Sequence, residues 1–232
     1  MNGNGPQLFE DTATALQYLQ NRYGAVDWSS YEYIRQEFWS YQTYPEAGSA
    51  TFNFFGQTPG GTVTDADTNM DTAGMFQSGQ HFLVNAIRCK LRITTWNLAT
   101  WAGNDNDTLI SDLLNGFAQC GVLQWNINAM NYLSLPNPFL WAPPAGGEQD
   151  LRSAGSQATT VGSFPWASLN NNREGELILQ PQVLIENGVT FSFQIAYPTG
   201  LVPVIGTDIT NDTTNPLKIG VEISGQWFRP MQ

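Results

Sequence analysis

A chain of 232 residues and 25.6 kDa, 41% of them hydrophobic, holds enough apolar material for one core and enough length for one domain with an arm. Charged residues make up only 12%, against the usual ~25%, while Gly 22, Pro 13 and 12% aromatics favour strands and turns over helices. The balance of 9 Lys+Arg against 20 Asp+Glu, formally -11, disfavours direct binding to nucleic acid or to an anionic membrane.

The first periodic segment is short. Phe9, Thr12, Leu16, Leu19 and Tyr23 fall on one helical face, and the run stops at Gly24, which predicts an amphipathic helix in an N-terminal arm. Such a stripe packs either on the body or on a neighbour. Residues 28–44 (WSSYEYIRQEFWSYQTY) are aromatic-rich, and they are expected to form a short helix followed by a strand at 37–43. Residues 1–48 thus read as arm and lead-in, and residues 49–232 as the main domain. The opening MNGNGPQLFEDT has neither a basic nor an apolar segment, so no signal peptide is expected. No run approaches the ~18 apolar residues of a membrane-spanning helix.

From residue 49 the period is two. Phe52 and Phe54 share one side of 50–55, and in 82–95 Ile87, Cys89, Leu91 and Ile93 oppose Arg88, Lys90 and Arg92. Segment 122–128 sets Leu123, Trp125 and Ile127 against Gln124, Asn126 and Asn128. Segment 189–197 sets Val189, Phe191, Phe193, Ile195 and Tyr197 against Thr190, Ser192, Gln194 and Ala196. In 217–227 the apolar face is Leu217, Ile219, Val221, Ile223 and Trp227. With weaker runs at 37–43, 130–135 and 175–180, about eight strands are expected, each with one buried and one wetter face.

The connections are long. Residues 106–117 predict a short helix with Leu109, Ile110, Leu113 and Leu114 on one face, Asp107 as N-cap and Gly116 as the stop. Residues 136–172 are rich in Pro, Gly, Ser and Asn, yet carry the apolar anchors Phe139, Trp141, Phe164 and Trp166. A loop of that length is ordered by contact or serves a function. Residues 198–216 form a second one. Strands joined by long crossing connections fit an antiparallel jelly-roll sandwich, so the expected class is all-β with a short helical arm.

Chemistry is sparse. The single histidine, His81, has no nucleophile elbow to serve, and one His with two unpaired cysteines cannot supply a zinc motif. Cys89 and Cys120 read as buried thiols rather than a disulfide framework. No phosphate-binding glycine motif follows a strand. The Arg88–Arg92 run reads as one solvated or partner-facing strand face. The one pattern that suits an ion is Asp65, Asp67, Asn69 and Asp71, oxygen ligands at alternate positions such as calcium takes. An EF-hand would have Gly and Glu where this chain has Met70 and Phe76, so a polar loop of Asx turns is the plainer reading. The sequons at Asn106 and Asn211 matter only after secretion. No cofactor and no enzymatic activity are expected.

The order of the phrases resembles a known architecture. A Phe-rich strand (TFNFF, 51–55) leads into a loop with Thr68-Asn69-Met70 and Ala73-Gly74, then into the long strand GQHFLVNAIRCKLRI (79–93). LILQPQVLIENGVTFSFQIAYP (177–198) follows, and the terminal strand closes with GQWFRPMQ (225–232). Over residues 49–232 this resembles capsid proteins of tailless icosahedral bacteriophages of the jelly-roll lineage. The resemblance implies an eight-stranded sandwich, one jelly roll per chain, standing in a shell of identical coat subunits. It also implies loop-mediated subunit contacts, an arm reaching a neighbour, and a virion location after assembly in the host cytoplasm. A second coat, penton or membrane-associated virion protein is a further partner class. Few charges and loop-borne aromatics suit a surface covered by copies of itself. The expected contacts are Phe139, Trp141, Phe164 and Trp166 in the loop, and Phe9, Leu16, Leu19 and Tyr23 on the arm. The alternative is a carbohydrate-binding β-sandwich, a lectin or a phage receptor-binding spike, with Trp96 or Trp101 stacking on sugar beside Asn104–Asp107.

Overall fold

Alternating apolar side chains can only be buried on one side of a strand, so a chain patterned this way must stack its strands in layers. The computed structural model describes residues 7–24, 27–45, 47–93, 117, 120–141, 176–203 and 217–231. In chain order these form β1 (Gln7–Phe9), α1 (Thr12–Arg22), a single 3-10 turn (Trp28–Ser30), β2 (Tyr31–Thr43), β3 (Thr51–Phe54) and β4 (His81–Ile93). Next come β5 (Val122–Ile127), β6 (Met130–Pro136), α2 (Pro138–Trp141), β7 (Leu177–Ile185), β8 (Phe191–Ala196) and β9 (Leu217–Pro230).

The strands make two antiparallel sheets, one in the order β1-β7-β4-β9-β2 and one in the order β3-β8-β5-β6. The protein is an all-β sandwich, with nine strands among the described residues where about eight were expected; the ninth is the three-residue β1.

The segment 28–44 departs from its expectation. Its helical part is one 3-10 turn, capped by Asp27 accepting from Ser29 N, and the strand begins at Tyr31 rather than Glu37. The reason lies far along the chain: β9 offers an uninterrupted partner, and the register runs residue for residue from Tyr31↔Pro230 to Thr43↔Lys218. β2 is therefore a full edge strand of the larger sheet, although it lies inside the 1–48 segment read as arm and lead-in. The arm proper is β1 and α1. The helix starts at Thr12 because Asp11, extended, takes the Thr14 amide at 2.8 Å, so Phe9 sits in β1 instead of on the helical stripe. The helix expected over 106–117 lies outside the described residues, apart from Phe117.

A bulge sets the faces of β4. Its register with both β7 and β9 shifts between Val84 and Ala86. Phe82 and Val84 face the core before the shift, and Ile87, Cys89 and Leu91 after it. The inter-sheet core is aromatic. Trp125 stacks on Phe193 at 5.0 Å, and Phe38 meets Phe76, Phe82 and Trp227 edge-on at 4.9–5.4 Å. Each fully buried ring contributes roughly 1.5–3 kcal/mol. At Gly225 the β4 backbone comes so close that a Cβ would overlap the Leu83 carbonyl, which leaves only glycine at that position.

Candidate functional site: the outer faces and the arm

One half of the larger sheet's outer face is covered by the arm. Ala15 and Leu19, one helical turn apart, bury against Leu83 of β4, Leu184 of β7 and Phe228 of β9. Phe9, Leu16, Tyr18, Tyr23 and Trp28 surround them, partly buried. Beyond this apolar strip the contact turns polar. Glu186, just past β7 and itself buried, accepts from the Tyr18 hydroxyl at 3.2 Å and the Tyr23 hydroxyl at 2.7 Å, and pairs with Arg22 Nε at 3.1 Å. Burial and then this carboxylate push the Tyr23 phenol up to about 12. His81 lies beside it, 2% exposed, with its ring 5.0 Å from Tyr23 and 6.3 Å from Trp28. Its Nδ1 accepts the Asn187 N–H at 3.3 Å. Burial first, and the nearby Arg22 cation second, pull His81 down to about 4, so it is neutral at pH 7.

The other half of that face is a lattice of ion pairs. Arg88, its side chain 7% exposed, reaches across β9 to Glu37 of β2 at 2.6 Å and also binds Glu176, ahead of β7, at 2.5 Å. Lys90 pairs with Glu222 at 2.8 Å, and Glu222 also accepts from the Tyr41 hydroxyl at 2.5 Å. Lys218 pairs with Asp67. The Tyr41 ring crosses β9 at Gly220, where any Cβ would overlap it. Arg88 donates to Glu37 and holds its carboxyl below the usual range. Asp67 is pushed up by burial, but Lys218 and Thr64 more than offset this and leave it lowered. The Arg88–Arg92 face is thus not a solvated strip where it can be seen: Arg88 and Lys90 are spoken for by carboxylates of the same chain.

The oxygen-rich loop closes the edge of a strand. Asp65, Asp67, Asn69 and Asp71 are not gathered round a common point, and among the described residues no group of three or more His, Cys, Asp or Glu side chains could hold a metal. Asp67 is committed to Lys218 and Thr64, while Asp65 and Asp71 are exposed. Asn69 accepts the Trp39 amide at 2.9 Å and donates to the Glu37 carbonyl at 2.8 Å. The Asp67 carbonyl takes the Tyr41 amide at 2.7 Å, and the Asp65 carbonyl takes the Trp39 indole at 3.1 Å. These groups occupy the free edge of β2, which would otherwise template another strand. The β3 edge is closed in kind, by Ser40 Oγ on the Phe55 amide at 2.9 Å and by Gln42 on the Asn53 carbonyl.

The smaller sheet's outer face has a different chemistry. Strand register aligns Asn53, Gln194, Gln124 and Ser134 in one row across all four strands, with Ser192, Asn126 and Asn131 in or beside the next. None of these is charged. Gln194 donates to Asn53 at 2.8 Å, Asn131 to Asn126 at 3.3 Å and Ser134 to Asn131 at 3.1 Å. Spare donors and acceptors remain in the row, because each amide has more hydrogen-bonding capacity than these contacts use.

Among the expected contact residues, Phe139 is 3% exposed and packs edge-on against Phe117 at 5.7 Å, inside its own chain's core. Leu19, on the arm itself, is wholly buried against the larger sheet. Their apolar surface is spent before any neighbour arrives. Phe9, Leu16 and Tyr23 keep part of theirs. Phe164 and Trp166, and the side chain of Trp141, lie outside the described residues, as do Trp96, Trp101, Asn104–Asp107 and both sequons. Cys89 is buried and Cys120 half-buried, and both are free; burial pushes the Cys89 thiol up. The ion-pair lattice had a signal in the sequence, basic residues on one strand and acidic ones on another, but pairing them needs the register. No protein-family model matches the chain, nor does any curated protein or solved structure.

Proposed function

We propose that this chain is a coat subunit, a jelly roll that assembles with copies of itself into an icosahedral shell. The observation that carries the reading is the strand order. Setting β1 aside, the sheets run β2-β9-β4-β7 and β3-β8-β5-β6, so the chain crosses repeatedly between layers as two interlocked Greek keys do. The phrases that resemble phage capsid proteins fall on β3, β4, β7, β8 and β9 of that order. A closed shell needs a stiff slab whose own edges and charges are satisfied, so that contacts between copies are specific. The guarded edges of β2 and β3 and the self-paired charges of the larger sheet fit that need.

Purified protein, concentrated alone and with lysate of its source, is expected to form large regular particles visible by electron microscopy and sedimentation. A strict monomer under all these conditions would count against the coat reading. One observation favours the second reading, a carbohydrate-binding sandwich. The uncharged amide row Asn53–Gln194–Gln124–Ser134 offers hydrogen bonds of the kind that sugar hydroxyls accept and donate. Glycan-array binding by the monomer, lost on Gln194→Ala, would move the assignment there.

A further inference from the structure

We propose that residues 7–24 form an acid-released latch: proton uptake at His81 frees the arm from the larger sheet's outer face and uncovers Leu83, Leu184 and Phe228. This goes beyond the coat reading and does not depend on it.

The geometry around the ring sets the direction. His81 Nδ1 is an acceptor for the Asn187 N–H, so the neutral ring carries its hydrogen on Nε2. A second proton would have to enter at Nδ1 and face that N–H as donor against donor. The ring is 2% exposed, so the new charge would also lack water.

The arm supplies the nearest ring, Tyr23, and a like charge, Arg22, while Trp28 of the 3-10 turn supplies a second ring farther off. From β7's end comes Glu186, whose oxygens are already held by Tyr18, Tyr23 and Arg22. β9 places Phe228 opposite His81 in register; the next residue, Arg229, is paired with Glu32 and lies over the Trp227 ring. The strain of a protonated His81 therefore falls on the arm, the part most easily moved. The arm is held by Ala15, Leu19, a three-residue strand and the polar cluster, whereas the strands beneath are locked into the main core. Such a unit opens without unfolding the rest.

Linkage gives the window. A histidine near 6.5 when exposed and about 4 when latched favours the closed arm in full above pH 6.5. That preference falls away as the pH drops toward 4, shifting the open-to-closed ratio by about two orders of magnitude.

His81 is the chain's one histidine, so its ring protons are a single resolvable NMR signal. Titration should give a native pKa well below 6; a value at or above 6.5 would overturn the proposal. Amide exchange, corrected for intrinsic rates, should show protection over residues 12–22 falling about 100-fold from pH 7 to pH 4.5 or below, while β4 and β9 amides hold. In His81→Gln, arm protection should become nearly flat over that range. Arm and sheet losing protection together, or an unchanged pH profile in His81→Gln, would refute the latch. If His81→Gln fails to fold, Arg22→Gln tests it instead: removing the like charge should raise the His81 pKa, and no change would contradict the mechanism.

Discussion

On the outer face of the larger sheet, Arg88, Lys90 and Lys218 each meet a carboxylate from another element, and the arm covers the remaining half. On the outer face of the smaller sheet, the middle row is Asn53, Gln194, Gln124 and Ser134, with no charge and no cover among the described residues. The first face has paired Arg88, Lys90 and Lys218 inside the chain and ties β2, β4, β9 and the start of β7 together, leaving Tyr33 and Ile178 exposed beside the lattice. The second keeps amides that can rearrange to meet whatever lies against them. A face built of strong internal pairs stabilises the subunit; a neutral hydrogen-bonding face is suited to contacts that form and break during assembly.

The contrast can be broken most directly at Arg88. Truncation to Ala leaves Glu37 and Glu176 facing each other without their cation. Losing one partner of a fully buried pair costs ~3–5 kcal/mol. Glu37 is 46% exposed and can turn to water, so a loss of about 2–4 kcal/mol is expected in denaturant melts. A loss below ~0.5 kcal/mol would place the lattice with ordinary surface ion pairs. Gly220→Ala should come next. Its Cβ displaces the Tyr41 ring and with it the hydroxyl on Glu222, an overpacking cost of about 1–3 kcal/mol. The double variant Gly220→Ala with Tyr41→Ala should lose less than the sum of the two single changes, because the clash then has no second party.

Acid separates the two faces further. Glu37 and Asp67 have folded values depressed below 4.5 and 3.8, so their contribution is complete above those values. It is lost as the pH falls through the lower, folded ones. Amides of β2 and β9 should lose protection below about pH 4 ahead of those of β5 and β8, where no paired carboxylate stands on the outer face. The arm's response begins higher, near pH 6.5, so the histidine and carboxylate effects fall in different windows.

How much of this was legible in the chain depends on the distance over which each feature is decided. β5 and β8 alternate strictly, and Leu123, Trp125, Ile127, Phe191, Phe193 and Ile195 are buried where the period of two puts them. The first half of β4 reads as continuously apolar because Leu83 faces the arm while Phe82 and Val84 face the core, and the bulge at Asn85, which nothing local announces, then switches the inward set from even to odd positions. β2 is masked by its own aromatics: Tyr31 and Tyr33 fit helix or strand, and only β9, nearly two hundred residues on, decides between them. The Asp65–Asp71 comb suited a polar loop of Asx turns and, less plainly, an ion, because alternate oxygens look the same whether they meet a cation or a strand edge. Phe139 looked like a contact because it sits in a Pro-rich loop, yet Phe117 receives it within the chain. The charge lattice needed register, which composition does not contain.

The smallest expected effect is the most discriminating one. Gln194→Ala removes a single 2.8 Å hydrogen bond to Asn53, at a half-buried site where water can replace it. The subunit's melt should therefore move by less than about 0.5 kcal/mol. Gln194→Lys combined with Gln124→Lys should be nearly as mild for the isolated chain, since both side chains stand on the outer face and can reach solvent. In an assembly that uses this face the same pair of lysines would meet their own copies or bury unpaired charge, and particle formation should collapse while the melt is unchanged. Intact particles from the double variant would show that the amide row is simply a wet surface, and the contrast between the two faces would then concern stability alone.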